Sequence, residues 1–488
     1  MTDVNTIRQA LVEHGQEHLL RFHDELTLQQ QQTLLQQIES LDLDLLDELV
    51  RTHVLDKPQV ELPDPDHIDP PPIVPALAKD DQTRELKEQA AERGRQIIAD
   101  GKVAAFVVAG GQGTRLGYDG PKGCLEVTPV AHKPLFQVFA EQILAAGRRA
   151  GVRIPWYIMT SPQNDVVTRA FFRQHNYFGL NSEDVFFLVQ GQMPAFDFDG
   201  KILLAEKDRL AMSPNGHGGS LQAMHDSGAL EDMAERGVEY ISYFQVDNPL
   251  VKCIDPEFIG LHDMRSAEMS AKATPKRDPL EKLGNFCVID GRVHVIEYSD
   301  LPEELARQTT DDGRLRFRAG SIAIHLFSRS FVERLTAEGR CELPFHRAEK
   351  AVPHIDAEGN KVEPDQSNAV KLEMFVFDAM PLAKETVILE TLRDREFSPV
   401  KNASGEDSLT TALHDQVRRA AELLEAAGVS VPRDADGKVA AALEISPLYA
   451  ENAEELKSKV DPNLEIPPGD SLYLGSRGQT GGLKGAEG

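Results

Sequence analysis

Cysteine is scarce: Cys124, Cys253, Cys287 and Cys341 are the only four in 488 residues. They stand too far apart for a zinc knuckle or a vicinal redox pair, and nothing about them suggests a disulfide framework. Positive charge is short as well, with 52 Lys and Arg against 79 Asp and Glu, a formal net charge of -27. So acidic a chain is not expected to take nucleic acid or an anionic membrane as a partner. No stretch reaches the roughly 18 consecutive apolar residues needed to span a bilayer. The first residues, MTDVNTIRQALVEHG, are polar and acidic where a secretion signal has a basic start and an apolar core, so the expected location is cytoplasmic. There is no HExxH, no nucleophile elbow and no Cys with a paired His, which leaves metal-dependent hydrolysis and covalent acyl transfer without residues to carry them.

What the chain does have is VAAFVVAGGQGTRLGYDGPKG over residues 103–123. The apolar run reads as a parallel strand covered on both faces, and the carboxyl end of such a strand is where α/β folds bind ligands. Six glycines follow between Gly110 and Gly123, together with Arg115 and Lys122. Backbone amides and two fixed cations can therefore crowd around one polyanion. A Walker A loop is ruled out, because Lys122 follows Pro121 and precedes Gly123 where Ser or Thr would hold the metal. A dinucleotide fingerprint starting at Gly111 would place its third glycine at Leu116, one residue short of Gly117. A tight strand-to-helix turn is the bland reading; the two cations and Pro121 favour phosphate binding.

The rest of the chain divides by punctuation. Residues 1–56 carry Leu34, Leu35, Ile38, Leu41, Leu45, Leu46 and Leu49 at helical spacing, which predicts a helical cap, with a partner-binding module as the competing reading. Residues 57–81 form a Pro-rich acidic linker containing Pro70, Pro71 and Pro72. A catalytic domain is expected over 82–402, a small domain over 403–466 and a mobile tail over 467–488. Within the catalytic domain the patterns alternate: strand 103–109, helix 134–150, strand 154–160, helix 166–175, strand 185–190, helix 219–237, strand 240–246. Repeated βαβ units predict an α/β, Rossmann-like fold with a mostly parallel sheet. The Asp290–Gly291 pair between Phe286 and Tyr298 predicts a hairpin.

Asp247 directly follows the apolar run 240–246, which puts a carboxylate level with the phosphate loop at the carboxyl end of a central strand. Magnesium needs only one or two carboxylates when substrate phosphates complete its shell, so this Asp suffices for Mg2+ or Mn2+. The plainer alternative is an Asp that opens a turn before Pro249.

At this point the residues resemble a known family. GGQGTRLGYDGPKG (110–123) is similar to the signature of UDP-sugar pyrophosphorylases, closest to the eukaryotic type that acts on N-acetylglucosamine. The likeness continues in order through IPWYIMTS (154–161), HNYFGL (175–180), FDGKILL (198–204), VDN (246–248), KLEMFVFD (371–378) and EFSPVKNA (396–403). It implies a nucleotide-diphospho-sugar transferase (GT-A-like) fold, magnesium, and synthesis of a UDP-sugar and pyrophosphate from UTP and a sugar 1-phosphate. It implies that Arg115 and the backbone at Gly111, Gly113 and Thr114 take the triphosphate, and that Lys122 takes the α-phosphate and leaving pyrophosphate. Lys401 would take the sugar phosphate and Asp247 the metal at the sugar side. By matching positions, Gln190, Gly218 and Gly219 would face the uridine and Gly110 would let its ring approach. Gly284, Glu297, Phe375 and Phe377 would line the sugar. Phe375 and Phe377 alternate on an expected strand and so share one face, with core packing as their competing reading. Arg115 could merely bind carbonyls within its loop, and Lys401 could be an ordinary solvated lysine.

Two positions depart from the pattern. His217 stands where these enzymes have Asn in the NGG element, and Ser321 where they have Asn in the segment RAGSIAIH. Both family residues touch the sugar, so the acceptor stays open between N-acetylglucosamine 1-phosphate, glucose 1-phosphate and a broader set. Oligomeric state is open too. From other classes, a nucleotide-sugar-binding protein without turnover is disfavoured by Arg115, Lys122, Asp247 and Lys401, and a nicotinamide-dependent oxidoreductase by the missing third glycine.

Overall fold

In the computed structural model, residues 4–57, 63–461 and 463–475 are described; the end of the predicted tail, 476–488, lies outside them. The chain forms two compact units. One gathers Met1–Leu62, Gln190–Gln222 and Arg340–Asp378; the other holds Pro63–Val189, Ala223–Gly339 and Ala379–Gly488.

The larger unit is an α/β layer structure around an 11-stranded, mostly parallel sheet. Its strands are β1 Ile68–Asp69, β2 Ile73–Val74, β3 Val103–Val108, β4 Trp156–Thr160, β5 Val185–Val189, β6 Tyr240–Gln245, β7 Met269–Pro275, β8 Asn285–Ile289, β9 Arg292–Ile296, β10 Ala319–Ser328 and β11 Thr386–Glu390. The main order is β2-β11-β7-β10-β6-β3-β4-β5, and only β10 runs against its neighbours. Every residue of β3 is buried. Val103, Ala105 and Val107 join Phe136, Phe139 and Ile143 of the helix Leu135–Ala150 in one core, while Phe106, on the opposite face, stacks on Tyr243 at 5.4 Å. Burial on both faces explains why β3 and β6 read as unbroken apolar runs. Asp290 and Gly291 close the β8–β9 hairpin with positive φ at both residues, as their sequence predicts. A separate cluster around Leu424, Leu443, Leu456 and Leu474 carries a parallel pair, Ala442–Ile445 with Ser471–Leu474.

One expected element is corrected here. The helix predicted over 219–237 is two, Gly219–Asp226 and Ala229–Glu235, because Gly228 between them adopts φ 76°. A left-handed residue cannot continue a right-handed helix.

The smaller unit is built on the N-terminal helices Val4–Glu13, Leu28–Glu39 and Leu43–Leu49. Their periodic residues Leu34, Ile38, Leu46 and Leu49 are buried as the spacing predicts. They do not form a core alone. Phe196, Val370 and Leu372, from the three-stranded sheet Phe345–Lys350, Ala369–Met374 and Phe196–Asp197, complete the same cluster. Gln16 is buried among them, donating 2.9 Å to the Gly200 carbonyl and accepting from the Ile202 N–H at 2.9 Å.

Candidate active site

The loop after β3 is a closed turn with outward amides. Gly113 donates to the Gly120 carbonyl at 2.9 Å and Lys122 to that of Gly111 at 3.1 Å, which pins the two arms together. Gly123 has no room for a side chain, since a Cβ there would stand 2.2 Å from the Phe136 ring. Among the described residues, the N–H groups of Gly111, Gln112, Thr114 and Arg115 meet no acceptor. Arg115 and Thr114 are exposed, Lys122 and Gly110 half-buried. Neither Arg115 nor Lys122 has a carboxylate within ion-pairing distance among the described residues, so their charge is not spent inside the protein. This set of donors can hold a polyanion.

Asp247 lies where the sheet register demands. Gln245 of β6 pairs with Val108 of β3, so two residues on, Asp247 stands level with Gly110. Its carboxylate makes no ion pair among the described residues, and its main-chain carbonyl accepts the Val400 N–H at 2.8 Å. That bond brings the following residue, Lys401, to the same end of the sheet. Lys401 is exposed, anchored through its N–H to the Asp407 carbonyl at 2.7 Å, with its ammonium 5.7 Å from the Phe397 ring centroid.

A third group in the larger unit gathers Gly284, Glu297 and Ser321. Ser321 donates its N–H to the Gly284 carbonyl at 2.8 Å. A Cβ on Gly284 would lie 3.3 Å from Glu297 Oε1 and 3.8 Å from the Ser321 Cβ. Three of the residues predicted at the sugar are therefore neighbours.

In the smaller unit, Gln190 is buried and donates 2.6 Å to the Gly216 carbonyl. The turn that carries His217, Gly218 and Gly219 is pressed on the end of the strand Ala369–Met374. Gly218 donates to the Met374 carbonyl at 2.8 Å, and a Cβ on Gly218 would come within 2.7 Å of that residue's backbone. The glycine is thus required by packing, apart from any ligand. Phe375 and Phe377 are not on a strand, contrary to the expectation. The strand ends at Met374 and Val376–Leu382 is a 3-10 helix. Their rings nonetheless share a place, 5.1 Å apart, and His217 stacks on Phe375 at 5.3 Å and lies 5.7 Å from Phe377. Val376 donates its N–H to His217 Nδ1 at 3.1 Å. An imidazole that accepts at Nδ1 is neutral and carries its proton on Nε2. Burial, and after it the neighbouring His346, push the His217 pKa down to about 4.

The profile described as UTP–glucose-1-phosphate uridylyltransferase matches residues 47–427. This chain belongs to that family, the UDP-sugar pyrophosphorylases. A human relative named UDP-N-acetylhexosamine pyrophosphorylase-like protein 1 is 39% identical over 94% of this chain and 95% of its own. UDP-N-acetylglucosamine diphosphorylase 2 of Arabidopsis thaliana is 36% identical over 92% of this chain and 91% of its own. Among solved structures, the uridine diphosphate N-acetylglucosamine pyrophosphorylase of Trypanosoma brucei superposes with a TM-score of 0.82 at 27% identity, covering 97% of this chain and 98% of that one.

Two sets of residues in this pyrophosphorylase escaped the sequence reading. His346 stacks on Phe375 at 4.3 Å and shares a 2.7 Å hydrogen bond with Asp378. Asn248, Lys272 and Glu396 stand behind Asp247 and Lys401. Asn248 and Glu396 fall inside the VDN and EFSPVKNA blocks, but only as parts of a resemblance. Among the described residues no helix is long and apolar enough to cross a membrane, and no group of three metal-binding side chains occurs.

Proposed function

We propose that this protein is a uridylyltransferase that makes UDP-N-acetylglucosamine and pyrophosphate from UTP and N-acetylglucosamine 1-phosphate. The observation that carries the reading is the loop after β3, which starts level with Asp247 and whose amides at Gly111, Gln112, Thr114 and Arg115 meet no acceptor among the described residues. The human and Arabidopsis relatives are named for N-acetylated sugars, which supports the acceptor.

A sugar 1-phosphate is largely a dianion at neutral pH, because the second phosphate pKa is about 6, so its oxygen attacks the α-phosphorus of UTP without a general base. The protein's work is alignment and charge neutralisation. Arg115 and the amides at Gly111 to Thr114 hold the triphosphate; Lys122 meets the α-phosphate and the departing pyrophosphate; Lys401 meets the phosphate of the sugar. In the smaller unit Gln190, Gly218 and Gly219 are assigned to the uridine and His217, Phe375 and Phe377 to the sugar; in the larger unit Gly110 is assigned to the uridine and Gly284, Glu297 and Ser321 to the sugar. Asp247, one carboxylate without a protein partner among the described residues, fits a hard cation whose other ligands are phosphate oxygens and water. Magnesium, or manganese in its place, would supply neutralisation of phosphate charge there. Four buried cysteines, all unbridged, agree with a cytoplasmic setting, and the acidic net charge argues against nucleic acid or membrane as partner.

The test is pyrophosphate release from UTP with magnesium and a panel of sugar 1-phosphates. Release that depends on N-acetylglucosamine 1-phosphate is the expected result. UTP and nucleotide-sugar binding without release would instead make the protein a binding module.

A further inference from the structure

Asp247 and Lys401 are separated by more than a hundred residues of chain, yet one side chain joins their two segments. Asn248 is buried, and both ends of its amide are hydrogen-bonded. Its Nδ2 donates 2.8 Å to the Glu396 carbonyl, while its Oδ1 accepts the Ser398 N–H at 3.1 Å and the Leu250 N–H at 3.3 Å. The turn that starts at Glu396 ends on Asp247, through the Val400 N–H described above. Glu396 is itself fixed from the other side. Its carboxylate pairs with Lys272 and accepts from Thr391 Oγ1 at 2.7 Å, and Lys272 also pairs with Asp255 at 2.6 Å. Lys272 is fully buried. Burial alone would lower its pKa, but Asp255 and Glu396 hold it above the usual lysine value, so the ammonium stays charged. So well satisfied a polar cluster in the interior costs desolvation and gives in return one fixed geometry.

We propose that Asn248 is a positioning residue for the transfer step: it sets where Lys401 stands relative to Asp247, with the Lys272–Glu396 pair as its abutment. The inference rests on the reading that Lys401 neutralises phosphate charge during transfer. Asn248 touches no substrate, and its effect passes through Lys401. A displacement of about 1 Å in such a group can cost on the order of 100-fold in rate.

The experiment is a double-mutant cycle on the full chain, measuring kcat, the UTP dissociation constant and melting temperature for Asn248→Ala, Lys401→Ala and the pair. The expected result is a kcat lower by roughly 10- to 100-fold in Asn248→Ala with UTP affinity held within about twofold, and a pair no slower than Lys401→Ala to within about threefold, since residues that act as a unit are not additive. Should Asn248→Ala not fold, Thr391→Val replaces it. This change removes one hydrogen bond to Glu396, and a smaller loss of kcat is expected that again vanishes in the Lys401→Ala background. If the losses multiply in the pair, Asn248 acts independently of Lys401 and the inference is overturned, while the assignment of Lys401 stands. If Lys401→Ala alone leaves kcat unchanged, that assignment falls and takes the inference with it.

Discussion

The N–H of Val400 donates to the main-chain carbonyl of Asp247 at 2.8 Å, which leaves the Asp247 side chain at the carboxyl end of β6 with no protein partner among the described residues. A carboxylate so placed is held by its backbone and spends none of its charge on the fold.

Asp247→Asn should accordingly fold like the parent and bind magnesium poorly. An amide oxygen is a weaker ligand than a carboxylate for a hard cation. Titrating pyrophosphate release with magnesium should show a higher half-saturating concentration and a lower maximal rate. A titration that overlays the parent's would make Asp247 a turn residue.

Lys122→Ala should lower turnover about 100- to 1,000-fold, the usual cost of one electrostatic donor to a developing charge. Its melting temperature should barely move. Among the described residues the lysine side chain has no ion pair to lose, and the turn is held by backbone bonds such as that from the Lys122 N–H to the Gly111 carbonyl. Equal turnover with UTP would remove Lys122 from the phosphate site.

How legible these features were depended on whether the information was local. The loop could be read because β3 and β6 are parallel strands buried on both faces, and such strands appear as apolar runs with their functional residues directly after them. The β8–β9 hairpin could be read because Asp290–Gly291 suits the positive φ its turn requires. Gly228 was missed because a lone glycine in a helical pattern is tolerated more often than it breaks the helix. Phe375 and Phe377 misled because the alternating FVF of a strand is equally the start of a 3-10 turn, which the bond from the Asp378 N–H to the Phe375 carbonyl shows it to be. Nothing local shows that Leu34 and Val370 share a core, or that Asn248 reaches Glu396, since those contacts join segments far apart in the chain.

Sugar selectivity should be relaxed in comparison with relatives that keep Asn at both departing positions. The Nδ1 of His217 accepts from Val376, and Ser321 has a shorter hydroxyl with one donor in place of an amide with two. Each neutral hydrogen bond forgone is worth about 0.5–1.5 kcal/mol, so two weaken discrimination by roughly 10- to 100-fold. The paired change His217→Asn with Ser321→Asn should raise the ratio of kcat/KM for N-acetylglucosamine 1-phosphate over glucose 1-phosphate. An unchanged ratio would place the two residues outside the sugar pocket.

Stability should fall on mild acidification. Burial holds His217 down to about 4 and His262, between the hydroxyls of Ser270 and Ser328, down to about 3, against an ordinary value of 6.5. Below pH 6.5 the unfolded chain binds protons at these sites that the folded chain refuses, so lowering the pH from 6.5 towards 4 favours unfolding; above 6.5 neither state binds them and their effect is absent. His217→Asn should flatten part of that slope, by no more than about 3 kcal/mol at pH 4. Melting temperatures of parent and variant across pH 4–8 would check it, and identical slopes would mean that His217 is protonated alike in both states.

The central claim is attack by a sugar phosphate on the α-phosphorus of UTP. Phosphorus NMR of the protein with UTP, N-acetylglucosamine 1-phosphate and magnesium follows every phosphate at once. UDP-N-acetylglucosamine and pyrophosphate should appear in equal amounts as UTP and the sugar phosphate disappear. Release of inorganic phosphate instead, or an unchanged spectrum with every sugar phosphate offered, would contradict the account.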